Sequence, residues 1–119
     1  MSYTFYHYPR CSTCVKAKKW LTEQNIEYTA VNLAEDPPSK EKLKEIHELS
    51  EKAMKALFNT SGQSYRNGGF KDRLPNMSSE EQFSALAADG MLIKRPILLM
   101  PKKSLIGFKV AEWEPLLSK

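Results

Sequence analysis

The chain has 119 residues, 41% of them hydrophobic and 27% charged, and a formal net charge of +4, a composition typical of one soluble globular domain with a hydrophobic core. No apolar run approaches the length of a membrane span and residues 1–3 begin no secretory signal, which argues against a membrane protein and predicts a cytoplasmic one. The positive charge admits an anionic ligand or an acidic protein surface as a partner.

The chain begins with a predicted strand and a predicted helix that meet at two cysteines. Residues 3–8 are rich in aromatic side chains and nearly alternate, which is typical of a strand. A helix is predicted from residue 12 to about residue 24, with Val15, Trp20 and Leu21 as its apolar stripe. Cys11 and Cys14 therefore lie at a strand-to-helix turn.

This turn suits a reactive cysteine. The free N–H groups and the positive end of the helix dipole favour a thiolate on Cys11, and Arg10 adds positive charge. Three residues later, Cys14 falls on the same side of the first helical turn, where it could form a disulfide with Cys11. The pattern predicts Cys11 as the nucleophile and Cys14 as the resolving thiol. In a reducing compartment such a pair is typical of catalysis or redox sensing.

Three other interpretations of the cysteines compete with a redox role. A permanent disulfide over so short a loop would contribute only about 2 kcal/mol in the chain-entropy model, and a chain of this length can build a core without it. A zinc site needs four ligands, but the two histidines, His7 and His47, are far apart and lack paired spacing. Inert buried thiols are the third interpretation, although a helix start is not their usual place. We favour the redox role and predict no metal.

A second strand and a capped helix come next. Residues 26–33 alternate, and because a helix connects them to the first strand, the two strands should be parallel. Ser39 can cap a helix that carries Leu43 and Ile46 on its inner face. The lysines of this helix alternate with glutamates on a solvated outer face, so we predict no direct contact with nucleic acid.

The middle of the chain is predicted to be mostly helical. The helix should continue over residues 50–58, with its last two residues packing inward. A turn then leads to a short helical piece at residues 63–66. Ser78 and Glu81 have the spacing of a capping box, which predicts a helix that ends at residues 89–90.

The last part of the chain returns to the sheet. Residues 91–100 are predicted to form a strand, with residues 104–108 as its hairpin partner and the turn at residues 101–103. A helix over about residues 111–117 closes the chain. Its side chains available for packing are Trp113, Leu116 and Leu117.

This order of elements predicts a thioredoxin-like α/β fold. We expect a mixed sheet of about four strands in a single domain that spans residues 1–119. The two thioredoxin-like halves should lie at about 1–35 and 90–119, with a helical insertion at about 38–89 between them.

Three stretches, residues 6–14, 89–97 and 107–108, resemble the ArsC/Spx family of thioredoxin-like proteins, and the resemblance covers essentially the whole chain. The Cys-x-x-Cys pair is similar to that of the Spx/MgsR-type branch. In the arsenate reductases of this family a cysteine is catalytic and arginines hold the oxyanion, which implies these roles for Cys11 and Arg95. The resemblance also implies a cis bond between Arg95 and Pro96, with the proline facing the cysteine loop.

Two of the arginines expected of an arsenate reductase are replaced in this chain. Asn59 and Lys109 stand at their positions. A guanidinium forks onto two oxygens of an oxyanion, whereas a lysine offers a point charge and an asparagine offers none. We therefore expect arsenate reduction to be slow or absent.

The cysteine pair and the resemblance together predict a thiol–disulfide oxidoreductase with Cys11, Cys14 and Arg95 as its catalytic residues. The residues expected to bind the substrate are Arg10, Ser12, Thr13, Asn59, Pro96 and Lys109. The partner should be a protein disulfide or a thiol reductant such as glutathione, glutaredoxin or thioredoxin. We expect no bound cofactor and a monomeric protein.

The resemblance implies two alternative functions. One is an Spx-type redox-sensing transcriptional regulator, which would bind the C-terminal domain of the RNA polymerase α subunit near residues 59–70. Because an Spx protein looks longer at its C-terminus, with a basic tail, we expect a short branch of the family. The other alternative is a glutaredoxin-dependent arsenate reductase.

Overall fold

The computed structural model describes residues 3–117 of the chain. The strands in this range are β1 (Thr4–His7), β2 (Thr29–Asn32), β3 (Ile97–Leu99) and β4 (Ser104–Ile106). The α-helices are α1 (Ser12–Glu23), α2 (Lys40–Ser50), α3 (Gln63–Asn67), α4 (Phe70–Arg73), α5 (Ser79–Ala88) and α6 (Val110–Leu117). Short 3-10 turns cover Met54–Leu57, Leu74–Asn76 and Gly90–Leu92. Among these helices, none has the length and apolar character needed to cross a bilayer.

The sheet has the order β2-β1-β3-β4. β1 is parallel to β2 and antiparallel to β3, so that Phe5 lies opposite Ala30 on one side and opposite Leu98 on the other. The crossover through α1 makes the first pair parallel, and the tight connection between β3 and β4 makes the second pair antiparallel. The mixed sheet and the element order are thioredoxin-like, as predicted.

Alternation along the strands separates two hydrophobic clusters, one on each face of the sheet. Phe5 and Leu98 pack with Leu21 of α1 and Trp113 of α6. Tyr6 faces the other side, where it joins the helical insertion. The fully buried side chains of that second cluster include Leu33, Leu43, Ile46, Leu57, Leu86 and Ile93. The cysteine turn between β1 and α1 is thus attached to a strand that both clusters hold in place.

Two helices begin at serine caps, as predicted. Ser39 Oγ accepts the backbone N–H of Lys42 at 3.1 Å. Ser78 Oγ accepts the backbone N–H of Glu81 at 3.1 Å, and the Glu81 carboxylate accepts the backbone N–H of Ser78 at 2.9 Å. This second pair is a complete capping box, which satisfies two of the free N–H groups at the start of α5.

The continuous helix predicted over residues 50–58 is interrupted. α2 ends at Ser50, because Glu51 adopts a left-handed backbone with φ of 56°. The Ser50 hydroxyl donates to the carbonyl oxygen of His47 at 2.7 Å and accepts a backbone N–H two residues later, which closes the turn. Helical structure resumes only in the 3-10 turn Met54–Leu57.

The strand predicted over residues 91–100 is shorter than expected and begins only at Ile97. Just before it, Ile93 forms an antiparallel bridge with Phe58, and the Lys94 N–H donates to the carbonyl oxygen of Leu57 at 2.7 Å. These residues pair with the insertion and not with the sheet. The sequence pattern could not distinguish these two partners, because either pairing would leave Ile93 buried.

Two side chains that we expected to pack inward are exposed, Val15 on α1 by 55% and Leu116 on α6 by 48%. The buried positions of α1 are Cys14, Ala17 and Leu21, whose spacing of three and four leaves Val15 on another side of the helix. The prediction was wrong because a cysteine and an alanine, both weak hydrophobic signals, occupy the inner face.

Candidate functional site

The site is built on the turn that joins β1 to α1. The N–H of Cys11 donates to the carbonyl oxygen of Tyr8 at 3.0 Å, which closes the turn before the helix. Cys11 has an extended backbone, with φ of −86° and ψ of 114°, and is the N-cap of α1. Its Sγ accepts the backbone N–H of Cys14 at 3.3 Å. A sulfur therefore occupies the place where a serine or threonine oxygen usually caps a helix.

The start of α1 favours a negative charge on this sulfur. The first turn of the helix contains no acidic residue, so its N–H groups and the positive end of its dipole are not compensated by a carboxylate of that turn. Cys11 is partly exposed, and Arg10, Ser12 and Thr13 around it are exposed. Cys11 is therefore accessible from solvent at the start of the helix.

Cys14 has the opposite environment. It is only 2% exposed. Burial, followed by its hydrogen bond with Cys11, raises the pKa of the Cys14 thiol to about 12, although the backbone of Tyr8 and the charge of Arg95 act in the other direction. At neutral pH Cys14 is therefore a protonated thiol. Both cysteines are free thiols in this structure.

Arg95 lies between the cysteine turn and the insertion. Its guanidinium carbon is 5.3 Å from the centre of the Tyr8 ring, and its Nη1 donates to the carbonyl oxygen of Met91 at 3.4 Å. Its Nε is buried without a hydrogen-bond partner within residues 3–117. The Arg95–Pro96 bond is cis, as predicted, and Pro96 is buried. Arg95 thus holds a positive charge close enough to lower the pKa of Cys14.

An open groove of about 640 Å³ runs beside the cysteine turn, and we call it the basic cleft. Its polar lining consists of Thr13, Lys52, Lys55, Thr60, Lys94, Arg95 and Lys109. Its remaining lining consists of Ala56, Phe58, Ile106, Gly107 and Phe108. Thr13 belongs to the first turn of α1, so the basic cleft adjoins the helix start that carries Cys11.

The structure places the predicted substrate-binding residues in four different positions. Thr13 and Lys109 line the basic cleft, together with the predicted catalytic residue Arg95. The exposed Arg10 and Ser12 flank Cys11, and the buried Pro96 supports β4 by accepting the N–H of Gly107 at 2.8 Å. The Asn59 side chain lies against Gly62, where an added Cβ would come within 2.6 Å of its Nδ2. Asn59 is thus turned toward its own loop and is not part of the cleft lining.

Three lysines of the basic cleft were not predicted from the sequence. Lys52 and Lys55 come from the segment after α2, and Lys94 comes from the segment before β3. The adjacent pair Lys94 and Arg95 before a proline was the local signal that could have suggested one of them. Lys52 and Lys55 are unremarkable in the sequence, because lysines are frequent throughout this chain and only the fold brings these two to the cleft.

Within residues 3–117, no group of at least three His, Cys, Asp or Glu side chains comes together as a metal site would require. His7 instead stacks on Phe5 at 5.5 Å between ring centres. Burial, followed by the nearby charge of Lys18, lowers the pKa of His7, so the imidazole is neutral at physiological pH.

Comparison with known proteins connects this site to one family. The profile of the ArsC family matches residues 6–116. The chain is 51% identical to the uncharacterised protein YusI of Bacillus subtilis, over 96% of this chain and 97% of YusI. It is 33% identical to the regulatory protein MgsR of Bacillus subtilis, over 92% of this chain and 85% of MgsR. The crystal structure of a Bacteroides fragilis protein described as related to the ArsC family superposes with a TM-score of 0.94 at 47% identity, over 98% of each chain.

Proposed function

Because the chain belongs to the ArsC family, we propose that it is a thiol–disulfide oxidoreductase whose redox centre is the pair Cys11 and Cys14. One observation carries the proposal, which is that two thiols three residues apart have opposite environments. Cys11 caps a helix and is partly exposed, whereas Cys14 is buried and its pKa is raised. This asymmetry suits attack by the first thiol and resolution by the second.

The first step is attack by Cys11. Its thiolate displaces one sulfur of a substrate disulfide, so that a Cys11–substrate mixed disulfide forms and the other substrate sulfur leaves as a thiolate that takes up a proton. The N–H of Cys14 and the start of α1 stabilise the attacking anion before the reaction. Cys14 remains protonated at this stage and does not compete for the substrate.

The second step is resolution by Cys14. Once Cys11 is in a mixed disulfide, it no longer carries the negative charge that helps to raise the pKa of Cys14. The hydrogen bond between the two sulfurs, which also raises that pKa, is lost with the thiolate. Arg95 and the backbone of Tyr8 continue to favour the Cys14 anion. Cys14 can then lose its proton and attack Cys11, which closes the Cys11–Cys14 disulfide and releases the second substrate thiol.

The net reaction oxidises the protein dithiol by two electrons and reduces one disulfide to two thiols. A thiol reductant of the glutathione, glutaredoxin or thioredoxin class would then return the Cys11–Cys14 disulfide to the dithiol. The chemistry needs no metal or bound cofactor. Arg95 acts as a fixed positive charge next to the exchanging sulfurs.

Thiol exchange with a small neutral disulfide tests the proposal. Reduced protein is mixed with bis(2-hydroxyethyl) disulfide, and its thiols are counted by alkylation and mass spectrometry. We expect both thiols to disappear together as the Cys11–Cys14 disulfide forms. Retention of both thiols, or an end point at a stable mixed disulfide, would contradict the proposal.

A second candidate function is redox sensing in a transcriptional regulator, and the similarity to MgsR favours it. The segment after Asn59 offers an exposed surface at Arg66, Asn67 and Gly69 for a protein partner. We propose the C-terminal domain of the RNA polymerase α subunit as that partner, with binding controlled by oxidation of the cysteine pair. Pull-down of this domain by oxidised and by reduced protein tests it, and equal absence of binding in both states removes this candidate.

The reduction potential of the pair separates the two functions. A couple more reducing than the cytosolic glutathione pool, which lies at about −220 to −260 mV by extraction, supports a reductase. A couple that stays reduced in a buffer held at that potential, and is oxidised only when the buffer becomes more oxidising, supports a sensor. Titration of the thiols in defined glutathione buffers measures this potential directly.

A further inference from the structure

The basic cleft carries an unbalanced positive charge. No carboxylate is part of its lining. Its cationic side chains are Lys52, Lys55, Lys94, Arg95 and Lys109. Of these, Lys52 forms an ion pair with Glu112 at 3.3 Å, and the other four form none with a residue in the described range 3–117. The groove beside the cysteine turn therefore attracts negative charge.

The lysines of α2 are balanced differently. Lys40 and Lys44 of α2 both pair with Glu80 of α5, at 2.9 and 2.6 Å. Lys42 pairs with Glu45 on its own helix at 3.2 Å. On that face each positive charge has an acidic neighbour within the fold. In the basic cleft only Lys52 has such a neighbour among residues 3–117, so a carboxylate that matches the other positive charges has to come from a bound molecule.

The shape and lining of the basic cleft indicate what kind of anion it would hold. Phe58, Ile106 and Phe108 give it an apolar floor, and about 640 Å³ is far more than one small oxyanion fills. The Lys94 stem runs along this floor, since a Cβ on Gly107 would lie 3.5 Å from its Cε. Lysine ammonium groups are point charges that accept carboxylates over many geometries, unlike the fixed fork of arginine. Several carboxylates on a flexible chain therefore suit this lining better than one compact anion.

We propose that the basic cleft binds an acidic polypeptide segment, and that the substrate of the cysteine pair is a protein disulfide flanked by aspartate or glutamate residues. This inference rests on the proposed oxidoreductase function and names its class of substrate. The carboxylates contact Lys55, Lys94 and Lys109, and apolar side chains of the segment contact the floor of the cleft. Thr13 joins the cleft to the turn of Cys11, so a segment seated there brings its disulfide to that cysteine.

Cys11 forms a mixed disulfide with one sulfur of the acidic segment, and the other sulfur leaves as a thiol. Cys14 then displaces the segment from Cys11, so the segment leaves with two thiols and the protein keeps one disulfide. The electron pair comes from the protein dithiol, which a thiol reductant later restores.

The test uses the full chain in its reduced form with three synthetic peptide disulfides of equal length. Their cysteine is flanked by glutamates, by lysines or by serines, and the second-order rate of Cys11–Cys14 oxidation is measured for each at low ionic strength. We expect the glutamate peptide to react on the order of tenfold faster or more than the lysine peptide, because steering by an oppositely charged cleft has effects of this size. High salt should reduce this ratio, since it screens exposed charges.

A matched pair of variants locates the effect in the basic cleft. In Lys55→Gln/Lys94→Gln the ratio of the glutamate to the lysine peptide should fall toward one. Lys44→Gln/Lys102→Gln removes the same charge from exposed positions outside the cleft lining and should retain the ratio. An equal fall in both variants would show a response to net charge alone and would overturn the proposal.

Two further outcomes are decisive. Equal rates for the three peptides, together with normal oxidation by bis(2-hydroxyethyl) disulfide, overturn the substrate class while the oxidoreductase function stands. A faster reaction with oxidised glutathione than with the glutamate peptide also overturns the proposed substrate class, because the preferred substrate would then be a small disulfide and not an acidic polypeptide. Failure with bis(2-hydroxyethyl) disulfide itself is the separate result that overturns the proposed function.

Discussion

The start of α1 and the start of α5 share one local hydrogen bond but use it for different purposes. At α5, Ser78 Oγ accepts the N–H of Glu81 at 3.1 Å, and the Glu81 carboxylate accepts the N–H of Ser78 at 2.9 Å. At α1, Cys11 Sγ accepts the N–H of Cys14 at 3.3 Å, and no acidic residue stands in the first turn. The difference is that the first turn of α5 contains its own carboxylate. At α1 the sulfur of Cys11 is the only side-chain atom within residues 3–117 that accepts a hydrogen bond from the helix start.

The two helix starts therefore have different roles, one in stability and the other in reactivity. The carboxylate at α5 satisfies free N–H groups and stabilises the helix. The backbone of Ser78 also lowers the pKa of the Glu81 carboxyl, so it remains charged at physiological pH. At α1 the same helix-start N–H groups face the sulfur of Cys11, the residue proposed as the nucleophile. The side-chain cap thus stabilises the helix at α5, whereas at α1 the capping atom is also the sulfur proposed to react.

Replacement of the Cys11 cap of α1 by a serine cap should have the largest effect on disulfide exchange. Cys11→Ser retains a capping oxygen but removes the thiolate, so disulfide exchange should be abolished while the free energy of unfolding changes by less than about 1 kcal/mol. Exchange is measured with bis(2-hydroxyethyl) disulfide and stability by urea unfolding. Exchange that persists in this variant would assign the attack to Cys14.

Replacement of Cys14, the buried thiol, should stop the reaction at the mixed disulfide on Cys11. Cys14→Ser leaves Cys11 as the nucleophile but provides no neighbouring sulfur to displace an adduct. After treatment with oxidised glutathione, peptide mapping should find a glutathione adduct on Cys11 in this variant and an internal disulfide in the unmodified protein. A folded variant without the adduct would mean that the two thiols do not act as attacker and resolver.

Arsenate tests whether the anion preference of α1 extends to a small oxyanion. The family resemblance implies arginines at the positions of Asn59 and Lys109, and without them the site lacks two charge-assisted forks, each worth about 1.5–3 kcal/mol. Arsenate reduction with glutathione and glutaredoxin should therefore be at least about a hundredfold slower than with both arginines present. Turnover by Asn59→Arg/Lys109→Arg is the comparison, and brisk turnover by the unmodified protein would refute this expectation.

The smallest expected effect is at the α5 cap. Ser78→Ala removes the hydroxyl that accepts the Glu81 N–H, so the free energy of unfolding should decrease by about 1 kcal/mol. Disulfide exchange should be unchanged, because the cap lies outside the cysteine turn and the basic cleft. Urea unfolding and the exchange assay check the two expectations. A parallel loss of exchange would show that the helix starts are not independent.

Features set by local sequence were predicted well. The caps at Ser39 and Ser78 and the turn at the cysteines depend on residues within a few positions of each other, and their signals are visible in the sequence. The parallel β1–β2 pair follows from chain connectivity alone. These local features are sufficient to predict that Cys11 and Cys14 lie at a helix start.

Features set by distant contacts were missed. The end of α2 at Glu51 lacks the glycine that usually marks a left-handed helix end. The segment before β3 pairs with Phe58, and an added Cβ on the nearby Gly90 would clash with the backbone of Leu33. The basic cleft depends on the same long-range arrangement, since its cations come from three separate segments. The local periodicity of the sequence contains no information about contacts between residues that are far apart in the chain.

The division of roles between Cys11 and Cys14 is tested most directly by timed alkylation of the reduced protein, with each labelled cysteine located by mass spectrometry. Between about pH 6 and pH 9, Cys11 should be labelled first, because the helix start favours its thiolate. Cys14 should stay largely unlabelled in that range, since burial and its hydrogen bond with Cys11 raise its pKa to about 12. Equal labelling rates for the two thiols, or faster labelling of Cys14, would contradict the account.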